Sequence, residues 1–269
     1  MLTVKKIYLI ISFTLLSTFL FSQNIVSPKE QKETKRNEKK NKINDLIRQD
    51  EEGVLVYKKQ SLLGVQFRTN GYGVFYEHGR MRSQRNATIY RLDFTEIKHP
   101  KEEKLPEGGF SFGNPYIYGK INNFYQFHLG FGRQHILGQK GNKNGVALST
   151  QYSGGFLVGL LRPYYIDVLD NGTNKTIKFT TKDSALFVGG YILGGGGFNK
   201  GWNEIKFKPG AFLKTNLRFD FGRFNEVISA LEVGVSGEFY SEKIPIMLFQ
   251  KDKQFYIQGH IALLFGHRK

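Results

Sequence analysis

A hydrolytic site needs a nucleophile, a base within hydrogen-bond reach and a carboxylate to orient that base, so the six histidines of this chain are tested first. On a β-strand, His and Ser share a face at i and i+2. His128 is followed at that spacing by Gly130, His135 by Leu137 and His260 by Ala262, so none of these offers a Ser–His pair along one strand. His128 and His260 read instead as hydrogen-bonded interior residues. The chain has no cysteine, which removes thiolate nucleophiles, thiolate metal sites and disulfides together. His99 precedes Glu102 and Glu103 in a Pro- and Lys-rich stretch where such residues are ordinarily solvated, and no metal is expected. The Gly194–Gly197 run follows Gly189 and Gly190 but lacks the Lys-Ser/Thr and the strand-to-helix setting of a phosphate-cradling loop. No catalytic residue, cofactor or metal follows, and the chain reads as a non-enzyme.

Charge on alternating positions is the stronger signal. Arg68, Arg91, Asp93, Lys214, Arg218, Asp220, Glu232 and Glu238 fall on the polar side of alternating segments, with Gln66, Gln126, His128, Asn216, Gln258 and His260. The other side of the same segments carries Leu63, Val65 and Phe67, then Tyr125, Phe127, Leu129 and Phe131, then Leu148, Tyr152, Phe156, Val158 and Leu160. It continues with Leu213, Leu217, Phe219 and Phe221, then Leu231, Val233, Val235 and Phe239. Buried charge is tolerated only when paired, so the eight charged residues are expected to form an ion-pair network filling a lumen.

The elements that would hold them are eight alternating segments: 61–69, 72–80, 87–98, 124–137, 146–164, 210–221, 227–240 and 255–265. The first two join through Asn70-Gly71, a favoured tight hairpin turn. In the last, Phe255, Ile257, Ile261, Leu263 and Phe265 share one face while Tyr256, Gln258, His260, Ala262 and Leu264 share the other. In the second, Phe75 and Glu77 have the same parity, which leaves its register undecided. This pattern predicts an all-β fold, an eight-stranded antiparallel transmembrane β-barrel preceded by a flexible charged N-terminal periplasmic segment.

The remaining composition agrees. Lys5 and Lys6 precede an apolar run from Ile7 to Phe21 that ends in Ser22-Gln23, shorter than a spanning helix needs, which reads as a signal peptide over 1–23. Residues 24–60 are Lys/Glu-rich with few apolar residues, among them Ile43, Leu46 and Ile47, and read as a charged periplasmic tether leading to a barrel over 61–269. Gly (31), Phe (24) and Tyr (14) are the residues barrels use for close strand approach and interfacial girdles. The formal charge of +16 in an exported chain points to anionic lipid headgroups or an acidic partner rather than nucleic acid.

Over 61–269 the chain resembles the small eight-stranded outer-membrane barrels, the OmpA-like group, and its Phe-Ser-Gln signal end with Lys/Asn/Ile/Phe-rich usage looks like exported proteins of Bacteroidota. Gln258, Leu263 and Phe265 match the C-terminal assembly signal of such barrels, with His260 where Gly is usual and four residues after the aromatic. The resemblance implies the outer membrane as location, with outer-membrane lipids and lipopolysaccharide as contacts and a larger outer-membrane or periplasmic protein as partner. It implies an accessory subunit of type IX secretion or barrel-assembly machinery; a free-standing barrel and a lipid A-modifying enzyme are the alternatives. Entry from the periplasm puts 99–123, 165–209 and 241–254 outside. His78 and Arg80 then lie at the periplasmic end, away from outer-leaflet chemistry. Tyr191, Phe198, Trp202 and Lys206 in the long third outer loop are the candidate partner-binding residues.

Overall fold

The computed structural model describes residues 33–34, 36–41, 57–106, 114–141, 145–222 and 226–269. Contacts divide the chain at Arg48. In the first unit the described residues are helical and exposed, as the Lys-, Arg- and Glu-rich sequence without Gly or Pro favours. The expected signal peptide lies outside the described residues, as do most of the tether and its Ile43, Leu46 and Ile47.

The second unit closes on itself. Strands β1 (Lys59–Arg68), β2 (Gly71–Ser83), β3 (Asn86–Ile97), β6 (Asn122–Gly138), β7 (Ala147–Pro163), β11 (Lys206–Asp220), β12 (Val227–Ile244) and β13 (Lys253–Arg268) form one closed barrel. Every neighbouring pair is antiparallel, and β1 seals to β13 from Gln60↔Arg268 to Arg68↔His260. Closure satisfies the backbone without leaving an edge, which eight alternating segments joined by turns require. The last strand runs on to Arg268 rather than ending at Phe265, because Arg268 faces inward onto Asp220.

Side chains alternate across this wall with the polarity of a soluble core reversed. Outside stand Leu63, Phe67, Leu92, Leu129, Phe131, Val235, Ile261 and Phe265, all exposed, with Phe156 at 78% and Leu213 at 75%. Inside lie Gln66, Glu77, Arg91, Asp93, Gln126, Gln151, Lys214, Arg218, Glu232 and Glu238, all buried. Apolar plugs flank these charges along the lumen: Leu62, Phe75, Ile228, Ala230, Ala262 and Leu264 form one, and Phe124, Leu157, Phe212, Tyr240 and Tyr256 belong to the other.

The second strand settles its own register. Phe75 and Glu77 both point inward while Tyr72, Val74 and Tyr76 are exposed on the other face. Phe75 can share the polar lumen because the Arg91 guanidinium lies 3.5 Å over its ring, a cation–π contact.

The third outer connection departs most from expectation. The stretch expected as a loop over 165–209 is built: β8 (Tyr165–Asp170), β9 (Thr173–Lys178) and β10 (Tyr191–Gly195) form a small sheet in the order β10-β8-β9, with a short helix over Ser184–Gly189. Ile166, Val168, Ile177 and Phe187 give it a core of its own. Asn171 (φ 50°) and Gly172 (φ 79°) take the left-handed backbone that its tight hairpin turn demands. A smaller pairing of β4 (Lys104–Leu105) with β5 (Tyr116–Ile117) lies in the connection before β6.

Candidate functional site

The lumen gathers the expected charges into knots. At its centre Arg218 donates to Glu77 through two bonds of 2.8 Å each and to Glu232 at 2.7 Å, while Arg91 donates to Glu232 at 2.7 Å and to Asp93 at 3.2 Å. Lys214 approaches Asp93 at 3.4 Å and donates to Gln66 at 3.0 Å. Three cations therefore face three carboxylates, and the knot is neutral. A second knot joins Arg68 to Glu238, with Gln126 donating to Glu238 at 2.6 Å. Asp220 belongs to neither: it pairs with Arg268, and Lys140 lies 3.6 Å from its carboxylate. Because apolar layers flank the charges, each carboxylate must be met by a donor, which is why the arginines fork between two acids.

Several members escaped the sequence pattern. Glu77, at the centre, was obscured by the parity it shares with Phe75, although Tyr72, Val74 and Tyr76 on the opposite parity mark the outer face. Gln151 accepts from Arg218 at 3.1 Å in a segment too rich in Ser, Thr and Gly to alternate clearly, and Gln60, one residue before the expected first segment, donates to Gln134 at 3.0 Å. The two lumen histidines differ from expectation. His128 Nε2 lies 3.5 Å from Glu238 and His260 Nε2 3.7 Å from Glu232, yet among the described residues neither ring makes a hydrogen bond. The His128 ring packs edge-on to Phe212 at 4.8 Å.

The four candidate partner-binding residues separate. Lys206 opens β11, paired with Leu161, and is part of the barrel rather than the loop. Tyr191 and Phe198 are exposed. Trp202 turns back against the barrel: it stacks on Tyr125 at 6.0 Å and lies 4.7 Å from the Arg162 guanidinium, while Phe198 lies 4.6 Å from the same group. Arg162 occupies the outer face of β7, yet this cover leaves it buried. The cover also buries Tyr125, which the alternation assigns to the exposed face.

Cross-strand pairing also brings together what single-strand spacing cannot. Ser61 Oγ and His78 Nδ1 stand 3.3 Å apart on adjacent strands, with the Tyr76 hydroxyl 3.4 Å from Ser61. No carboxylate bonded to His78 is found among the described residues, and the backbone N–H groups here serve the strand ladders, so the pair lacks an orienter and an oxyanion donor.

No protein-family model and no curated protein matches this chain. Among solved structures, the chain is similar to Neisserial surface protein A over 78% of its own length and 96% of that protein's, at 7% identity and a TM-score of 0.41. It is similar to Ail of Yersinia pestis, solved with the heparin analogue sucrose octasulfate, over 80% and 100%, at 12% identity and a TM-score of 0.39. The N-terminal β-barrel domain of Pseudomonas aeruginosa OprF aligns over 78% and 99%, at 8% identity and a TM-score of 0.34.

Proposed function

We propose that this protein is an integral outer-membrane barrel acting as a non-enzymatic structural or accessory subunit of an envelope complex, of the type IX secretion or barrel-assembly kind in a bacterium of Bacteroidota type. One observation carries the membrane reading: a closed barrel with exposed Leu, Phe, Val and Ile around its outside and paired charges within. Water would penalise so large an apolar surface, whereas acyl chains solvate it. The accessory reading is supported by a lumen packed with side chains, which suits a brace better than a pore. It is supported further by an outer excursion with its own core that displays Tyr191 and Phe198, residue types that anchor protein interfaces. Outer-membrane lipids and lipopolysaccharide are its proposed surroundings, and a larger outer-membrane or periplasmic protein its proposed partner.

Fractionation followed by pull-down tests both parts. The protein should stay with the outer membrane through a high-pH wash and, in mild detergent, bring a larger envelope protein with it. Recovery alone would replace the accessory role with that of a free-standing barrel; recovery in the aqueous fraction would end the membrane reading. The Ser61–His78 contact favours one second reading, a lipid-modifying enzyme. The contact lies at the barrel end opposite the long connections, so inner-leaflet phospholipid is the substrate it could reach. Phospholipid masses unchanged in an overexpressing strain are expected, and a shifted mass abolished by Ser61→Ala would establish the enzyme instead.

A further inference from the structure

At the barrel end that carries the long connections, Tyr72, Glu96, Tyr125 and Arg162 of four adjacent strands line a cleft of about 650 Å³ on the outer flank. Its walls come from the connection before β6 and from the built excursion after β7. Five cations, Lys98, Lys104, Lys120, Arg162 and Lys200, line it against two carboxylates, Glu96 and Glu102. Both carboxylates are already engaged. Glu102 accepts from Lys120 at 2.8 Å and from the His99 backbone N–H at 3.0 Å, and Glu96 accepts from the Tyr72 hydroxyl at 2.7 Å. Among the described residues Lys98, Lys104 and Lys200 have no carboxylate partner. Arg162 is 5% exposed, and its Nε–H has no acceptor there. The cleft thus holds more donors and more positive charge than its own acceptors meet, the complement of an anion with several oxygens.

The floor identifies the kind of anion. On the outer faces of their strands Tyr72 is followed by Val74, Glu96 by Phe94 and Tyr125 by Phe127, all three exposed apolar residues. Cationic cleft and greasy wall are therefore continuous. A free anion would meet only the first; a phosphate that heads an acyl lipid meets both.

We propose that this cleft seats the phosphate-bearing headgroup of an acyl lipid, with Lys98, Lys104, Lys200 and Arg162 around the phosphate and the chains laid along Val74, Phe94 and Phe127. The proposal rests on the membrane reading above and gives it a specific site. It also explains why an arginine stands on the outer face of β7: the clasp of Phe198 and Trp202 holds it at the rim of the cleft.

Trp202 is the only tryptophan and touches both Tyr125 and Arg162, so its fluorescence reports on the cleft. The full chain, in a nonionic detergent, is titrated with lipid A, a phosphorylated sugar-headed lipid. Parallel titrations use inorganic phosphate and an uncharged glycolipid. Lipid A should give a saturable shift in emission, and neither control should. The variant Lys98→Gln/Lys200→Gln should bind about tenfold more weakly, and adding Arg162→Gln should remove saturation; the lysine pair alone carries the test should the triple variant not fold. An absent or unsaturable response, an equal response to inorganic phosphate or to the uncharged glycolipid, or unchanged affinity in the lysine pair would each overturn the proposal. Insertion into vesicles, followed by protease protection, separates the two readings. A chain that does not insert refutes the membrane reading, whereas one that inserts without responding to lipid A refutes only the seat.

Discussion

Arg218 and Glu77 stand 141 residues apart in the chain and meet through two parallel N–H···O bonds of 2.8 Å at the centre of the lumen. The contact can exist only once β2 and β11, on opposite arcs of the ring, have been brought face to face by closure. It therefore reports on completion of the barrel rather than on any local hairpin. Among the described residues Glu77 has no other bidentate donor: Gln151 donates to it at 3.5 Å and Arg91 reaches it only at 3.6 Å.

Arg218→Met should accordingly destabilise the barrel by about 3 kcal/mol, because Glu77 loses its fork and is left between apolar layers with only the longer Arg91 contact of 3.6 Å to offset its charge. Glu232 keeps Arg91 and suffers less. Adding Glu77→Leu removes the orphaned carboxylate and should restore most of the loss, as buried pairs replaced on both sides often cost little. Urea unfolding in detergent, run as a double-mutant cycle, reads the difference; equal losses in the single and double variants would show that the fork is not the cause.

Gly155 marks a close approach of two strands. A Cβ there would stand 2.0 Å from the Leu129 carbonyl oxygen, which belongs to the backbone of the neighbouring strand. Gly155→Ala should therefore cost more than the roughly 1–3 kcal/mol of ordinary overpacking, since a ladder rather than a side chain must yield. Gly189→Ala, where nothing lies within 4 Å, serves as the neutral control. Heat-modifiable gel mobility after refolding should separate the two, with a low folded fraction for Gly155→Ala alone.

All eight barrel strands were legible because each face of a barrel strand meets one solvent: the period-2 pattern of Phe255–Phe265 or of Tyr125–Phe131 needs no tertiary information. The pattern is silent where that rule lapses. Glu77 was hidden because Phe75 tolerates the lumen under Arg91, and the Ser61–His78 contact was hidden because cross-strand register is not written in either strand alone. Parity puts Tyr125 on the outer face, where it stands, yet it is covered by Trp202, whose position depends on the excursion. That excursion read as a loop because its strands are short and Gly-interrupted, and its core of Ile166, Val168, Ile177 and Phe187 forms only between segments.

Phe156 is the most exposed of the large outer residues and faces Leu129 across the β6–β7 ladder. In a membrane, Phe156→Arg should cost about 2–4 kcal/mol if the site lies near the midplane. In water the same change would be neutral or solubilising. Unfolding from lipid vesicles should show the loss, and an unchanged stability there would count against an acyl-chain environment for this face.

His99 lies in the connection after β3, outside the barrel wall. Burial holds its imidazole below the usual histidine range, Lys253 adds to the shift, and Glu102 opposes it. The Lys101 backbone N–H, donating to Nδ1 at 3.2 Å, also favours the neutral ring. A neutral folded His99 stabilises this connection fully above the ordinary pKa of about 6.5, and the contribution falls as pH drops below that value, since the unfolded segment then binds the proton more readily. NMR titration of the imidazole should give a midpoint below the ordinary value, moved upward by Lys253→Gln. A midpoint at or above the ordinary value would contradict the geometry.

The clasp on Arg162 ties the excursion to the barrel. Trp202 Nε1–H donates to the Phe198 carbonyl at 2.8 Å, Arg162 donates to the same oxygen, and both aromatic rings lie against the guanidinium. The sheet of β8, β9 and β10 keeps its own core without this contact, so cutting the clasp should free the excursion as a unit instead of unfolding it. Trp202→Ala removes one cation–π face and the stack on Tyr125, together worth about 1–2 kcal/mol. Limited proteolysis should then cut faster near Lys200, while the heat-modifiable mobility of the barrel stays unchanged. Arg162→Ala should act the same way, because both substitutions break one contact from opposite sides. If only Arg162→Ala accelerates cleavage, the guanidinium works through the Phe198 carbonyl and the indole is a passive cover.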